Sequence, residues 1–98
     1  MVIRLFIASV SEGDVDQVLE LLREDVVPAF QAHPDCLDID IFMAEEPGLG
    51  GLVEGGVITR WTSKEAMENA LRDLKKSQER VLPLLRREPV RRVLRVMT

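Results

Sequence analysis

The 98 residues are 46% hydrophobic and 31% charged. That composition supports one globular domain spanning 1–98 and excludes both a second domain and disorder. With one Trp, three Phe, no Tyr and a net charge of −4, there is little aromatic surface for stacking bases, so nucleic acid is not an expected partner. A lone cysteine, Cys36, forbids an intrachain disulfide. With no export signal or membrane-length apolar run, the chain is expected in the cytoplasm and off the membrane.

The charge is unevenly spread. Residues 1–59 hold two basic and twelve acidic side chains, whereas residues 60–98 hold eleven basic and five acidic ones. The two halves therefore attract each other, and the C-terminal arginines are expected to form a solvated or ion-paired face.

In chain order, Val2 to Val10 reads as a first strand with apolar residues on both sides. Asp14 with Gln17 predicts a helix cap, and Val15, Val18, Leu19, Leu22, Val26, Ala29 and Phe30 recur at helical spacing. Pro28 lies inside that pattern and is expected to kink or restart the helix. His33-Pro34-Asp35 ends it.

Leu37, Ile39, Ile41 and Met43 alternate with Asp38, Asp40 and Phe42, the period of a second strand. Glu45 to Gly51 is a glycine-rich hairpin loop. The third strand, about Leu52 to Trp61, contains Gly55-Gly56, where a bulge is expected. Thr62 and Glu65 predict a capping box that starts a second helix carrying Met67, Ala70, Leu71 and Leu74. Val90 to Met97 is a fourth strand.

The order strand, helix, strand, strand, helix, strand predicts an α+β fold of ferredoxin-like βαββαβ type: a four-stranded antiparallel sheet with both helices on one face. The other face is then bare and apolar. Its expected residues are Ile3, Leu5, Ile7, Phe42, Ile58 and Val93, with Asp38, Asp40, Arg60 and Arg95 available for pairing, so a homodimer through this face is expected.

Two segments resemble the antibiotic-biosynthesis-monooxygenase family of dimeric α+β barrels. His33-Pro34-Asp35-Cys36-Leu37 resembles its approach to the second strand, and Trp61-Thr62-Ser63-Lys64-Glu65-Ala66 resembles its strand-to-helix junction. With the element order, the resemblance spans nearly the whole chain. It implies an oxygen-dependent monooxygenase that needs neither metal nor flavin, acting on a small phenolic, quinol or polyketide-type molecule. The alternative is a non-catalytic dimeric binding module of the same fold.

The pocket implied by the resemblance lies between helices and sheet and is lined by Phe6, Phe30, Val57, Trp61, Met67 and Leu71. Trp61 would shape it, His33 would accept a proton, and Arg60 or Arg80 would stabilise an anionic oxygen. Each has a plainer reading: Trp61 as a core anchor, His33 as a helix-end residue, Arg60 in a surface network. The family's oxygenase pattern has Asn and Tyr where Val57 and Met67 stand. Its haem-degrading pattern has Asn and His where Phe6 and Leu71 stand. No cofactor is expected, and no His, Cys and Asp group has metal-ligand spacing.

Overall fold

The structure, a computed structural model, describes all of residues 1–98. Four antiparallel strands, β1 (Val2–Ser11), β2 (Cys36–Met43), β3 (Leu52–Trp61) and β4 (Val90–Arg95), form one sheet in the order β2-β3-β1-β4. The connection after β1 carries α1 (Val15–Leu21), a π-turn (Leu22–Val26) and α2 (Val27–Gln31). The connection after β3 carries α3 (Lys64–Asp73) and two short 3-10 turns. This is the ferredoxin-like arrangement that the hydrophobic periods predict. No helix is long and apolar enough to cross a membrane.

Pro28 explains the π-turn. A proline ring clashes with the carbonyl four residues back and offers no amide hydrogen, so the helix widens just before it. The Val27 N–H reaches past the usual acceptor to the Leu22 carbonyl, and α2 restarts with proline in its first turn. Val18, Leu21, Leu22, Val26 and Phe30 stay on the buried side throughout.

Three local expectations change. Asp14 makes no capping bond and ends a 3-10 turn instead. The cap of α3 is Ser63, whose hydroxyl accepts from the Ala66 N–H at 3.1 Å. Thr62, one residue earlier, donates its hydroxyl to Asp35 Oδ1 at 3.3 Å, which ties the end of β3 to the approach to β2. Gly55 and Gly56 sit in regular ladder, and the bulge falls at Leu37. Glycine is required at position 56 for another reason: a Cβ there would stand 1.8 Å from the Phe6 carbonyl oxygen.

The core lies between the sheet and the helices, with Trp61, Phe30, Val26, Met67 and Ala70 nearly or wholly sealed from solvent. Register assigns the faces. Val2, Arg4, Phe6, Ala8 and Val10 of β1 share the helix side with Val53, Val57, Thr59 and Trp61 of β3. Ile3, Leu5 and Ile7 share the open side with Ile58 and Arg60, and with Asp38, Asp40 and Phe42 of β2.

On β4 the expected phase is reversed. Val93 lies opposite Arg4 and Arg95 opposite Val2, so both belong to the helix side, and the open side takes Val90, Arg92 and Leu94. Leu37, displaced by the bulge, is 53% exposed rather than part of the core.

Candidate functional site

An apolar cavity of about 70 Å³ lies between sheet and helices. Its floor is Phe6, Ala8 and Val10 of β1, Val53, Gly55 and Val57 of β3, and Ile41 and Met43 of β2. Its roof is Val18, Leu19, Leu22, Val26 and Phe30 from α1, the π-turn and α2, closed on one side by Gln78, Val81, Leu82 and Leu85. The polar side chains that reach it are Arg4 and Gln78. The ion pair of Arg80 Nη1 with Asp25 Oδ2, 3.1 Å, straps the π-turn to the Gln78–Leu85 segment.

Of the six residues expected to line a pocket, Phe6, Phe30 and Val57 do so; Trp61, Met67 and Leu71 do not. Trp61 is completely buried. Its indole N–H donates to Thr59 Oγ1 at 2.8 Å, and its ring is packed edge-on by Phe30 and His33 at centroid distances of 6.0 and 6.2 Å. A Trp held on every side is a core anchor, and Met67, 3% exposed, belongs to the same cluster.

The expected catalytic group does not converge in one protomer. Arg60 and Trp61 are consecutive in β3 and point to opposite faces of the sheet. Arg60 lies on the open side, its Nε 3.3 Å from Asp38 Oδ1. His33 stands on the helix side outside the cavity lining, its Nδ1 accepting from the Asp35 N–H at 3.4 Å. At Cys36, burial, reinforced by the negative charge of Asp38, pushes the thiol up from its ordinary value of 9.0 and so disfavours the nucleophilic thiolate.

Arg4 is the functional candidate that the sequence reading passed over. Its guanidinium takes part in no ion pair within the chain, and its carbon lies 5.5 Å from the centroid of the Phe6 ring. Partial burial, together with the nearby charge of Arg91, lowers its pKa from the ordinary arginine value. The signal was present in the sequence: Arg4 interrupts the row Val2, Phe6, Ala8, Val10, and a cation on an otherwise apolar strand face needs a reason.

No protein-family profile matches the sequence, and no curated protein matches it as a relative. Solved structures do match in fold. A crystal structure of an antibiotic biosynthesis monooxygenase superposes over 100% of both chains with a TM-score of 0.79 at 18% identity. A candidate antibiotic biosynthesis monooxygenase from Nitrosomonas europaea does so over 100% of both chains with 0.81 at 10% identity. A point mutant of MhuD with two manganese protoporphyrin IX molecules bound per active site covers 100% of this chain and 96% of its own, with 0.75 at 17% identity. Identities this low establish the fold that all these chains share.

The residues here do not fit a porphyrin. The cavity is about 70 Å³, Phe6 fills part of its floor, and the sole imidazole, His33, stands outside its lining. Nor does any cluster of three His, Cys, Asp or Glu residues stand ready for a metal ion.

Proposed function

We propose that the chain is a monooxygenase-like protein that holds a small phenolic, quinol or polyketide-type molecule as its anion in the cavity beneath the π-turn. The observation that supports this most is one unpaired guanidinium, Arg4, at the wall of a cavity whose lining is otherwise apolar apart from Gln78. An apolar site with one fixed cation selects an apolar body carrying a delocalised negative charge, and stabilises that charge more strongly than water would.

The chemistry follows from the anion. A phenolate or enolate is electron-rich enough to react with molecular oxygen directly. When a methylene becomes a carbonyl, the substrate supplies four electrons, one oxygen atom enters it and the other leaves as water. Arg4 lowers the pKa of the bound acid, so its proton can pass to water. His33, expected to accept that proton, stands outside the lining, which holds no carboxylate or imidazole, and water takes its place.

The same missing base favours a second reading, in which the protein binds such molecules without converting them. Oxygen uptake with a panel of quinols and hydroxyanthrones separates the two, measured for wild type and Arg4→Met. Turnover that the variant loses supports the enzyme. Binding by calorimetry without oxygen uptake supports the binding module, and absence of both refutes this site.

The protein also pairs with a second copy through the open sheet face. That face carries Ile3, Leu5, Ile7, Ile58 and Phe42 between an acidic β2 edge, Asp38 and Asp40, and a basic β4 residue, Arg92. A two-fold arrangement can set the acidic edge of one copy against the basic edge of the other.

A further inference from the structure

We propose that Arg4 and Arg91 together form a carboxylate clamp at the cavity, so that its ligand is a phenolic acid, a single ring bearing a carboxylate, rather than a neutral quinol. This rests on the reading that the cavity takes a small aromatic molecule.

The clamp is built by register. Phe6 on β1 lies opposite Arg91 on β4, and Arg4 lies opposite Val93. Arg4 and Arg91 are therefore diagonal neighbours on the helix side, a separation of about 7–8 Å that long side chains span easily. Both turn toward the ring between them: the Arg4 and Arg91 guanidinium carbons lie 5.5 and 5.2 Å from the Phe6 centroid. Phe6 and Arg4 both line the cavity, while Arg91, outside the lining, reaches the Phe6 ring from the exposed β4 strand alongside.

Their own surroundings leave them short of negative charge. Arg60 has Asp38 at 3.3 Å and Arg80 has Asp25 at 3.1 Å. Arg4 has no such partner, and Arg91 has only Glu88, at 4.0 Å and with a side chain 93% exposed, a contact of little worth. Two like charges over one aromatic ring, one of them half-buried, repel each other until an anion bridges them. A planar carboxylate suits two planar guanidinium forks, each able to donate paired N–H bonds. The ring attached to it would then enter over Phe6 toward Ala8 and Val57, where the wall is apolar.

Calorimetric titration of wild type with 2,5-dihydroxybenzoate and with its parent 1,4-dihydroxybenzene, a pair differing only by the carboxylate, tests the clamp. The expected result is a Kd at least about tenfold lower for the acid, as charge-assisted hydrogen bonds provide. Arg91→Gln should abolish that preference while changing affinity for the neutral quinol less than twofold. Arg72→Gln, an equal charge change on exposed α3, should leave the preference intact. Circular dichroism of each variant establishes that it is folded. Equal affinities in wild type, a preference that survives Arg91→Gln, or an equal loss in Arg72→Gln overturns the clamp, while quinol binding itself keeps the cavity reading. Failure of both molecules to bind overturns both.

Discussion

Replacing Trp61 by Phe removes an anchor rather than a pocket wall, and the cost follows from its surroundings. The phenyl ring cannot donate to Thr59 Oγ1, which then loses a 2.8 Å bond in a residue 1% exposed; an unsatisfied buried acceptor costs about 1–3 kcal/mol. The smaller ring also leaves a void between Phe30 and His33, adding about 1–2 kcal/mol. A total of about 2–5 kcal/mol in a domain of this length lowers Tm by roughly 10–25 °C. Thr59→Val alone strands the indole N–H and costs about 1–3 kcal/mol. In the double variant neither partner is left unpaired, so its cost should fall short of the summed single costs by about 1–2 kcal/mol. Urea denaturation at fixed protein concentration, followed by circular dichroism because the only Trp is gone, measures all three. Additivity within about 0.5 kcal/mol would show that the bond to Thr59 is not what holds the indole.

Other outcomes follow from the same structure. Gly56→Ala should destabilise by about 3 kcal/mol or fail to fold, since overpacking against backbone finds little relief, and the new Cβ meets the Phe6 carbonyl; a melting temperature within two or three degrees of wild type contradicts this. Cys36, its thiol raised above 9.0, keeps its proton longer in the folded than in the unfolded chain. Stability should therefore fall as pH rises through the unfolded thiol's range and level off above the folded one. Cys36→Ala should remove that part of the slope in chemical denaturation at pH 8 to 10.5, and an identical slope in the variant rejects the assignment. Leu5→Glu puts a charge at the centre of the open face and should halve the mass seen in sedimentation velocity. A wild type that is already monomeric at micromolar concentration ends the homodimer reading.

The element order and layer arrangement were legible because strands and helices each wrote their period plainly, from Leu37–Met43 to Val18–Phe30. What was not legible depended on pairing between strands. In β4, Val90, Arg92 and Leu94 alternate with Arg91, Val93 and Arg95, so either phase mixes apolar and basic residues; the register with β1 selects one. In β2 a single bulge reverses Leu37 while leaving the alternation intact on paper. The cap of α3 slipped by one residue because Thr62 and Ser63 both qualify chemically, and the Asp35 contact claims Thr62. At the site, Phe6, Phe30 and Val57 line the cavity, whereas Trp61, Met67 and Leu71, expected beside them, stand outside its lining and pack in or against the core. Arg4 lies inside the first strand and was given no role at the site.

The π-turn carries a consequence for how quickly the cavity can exchange its contents. An engineered apolar cavity that takes benzene measures about 150 Å³, roughly twice the 70 Å³ beneath this turn, so a ring is admitted only as the roof yields. The helical hydrogen-bond pattern of the roof changes step between Leu22 and Val27, and the Asp25–Arg80 ion pair ties this turn to the neighbouring segment. Helix rearrangements of this kind take microseconds to milliseconds. In rapid mixing, the observed rate of ligand uptake should therefore stop rising with ligand concentration and settle at the opening rate of the roof, and Arg80→Ala should lift that plateau.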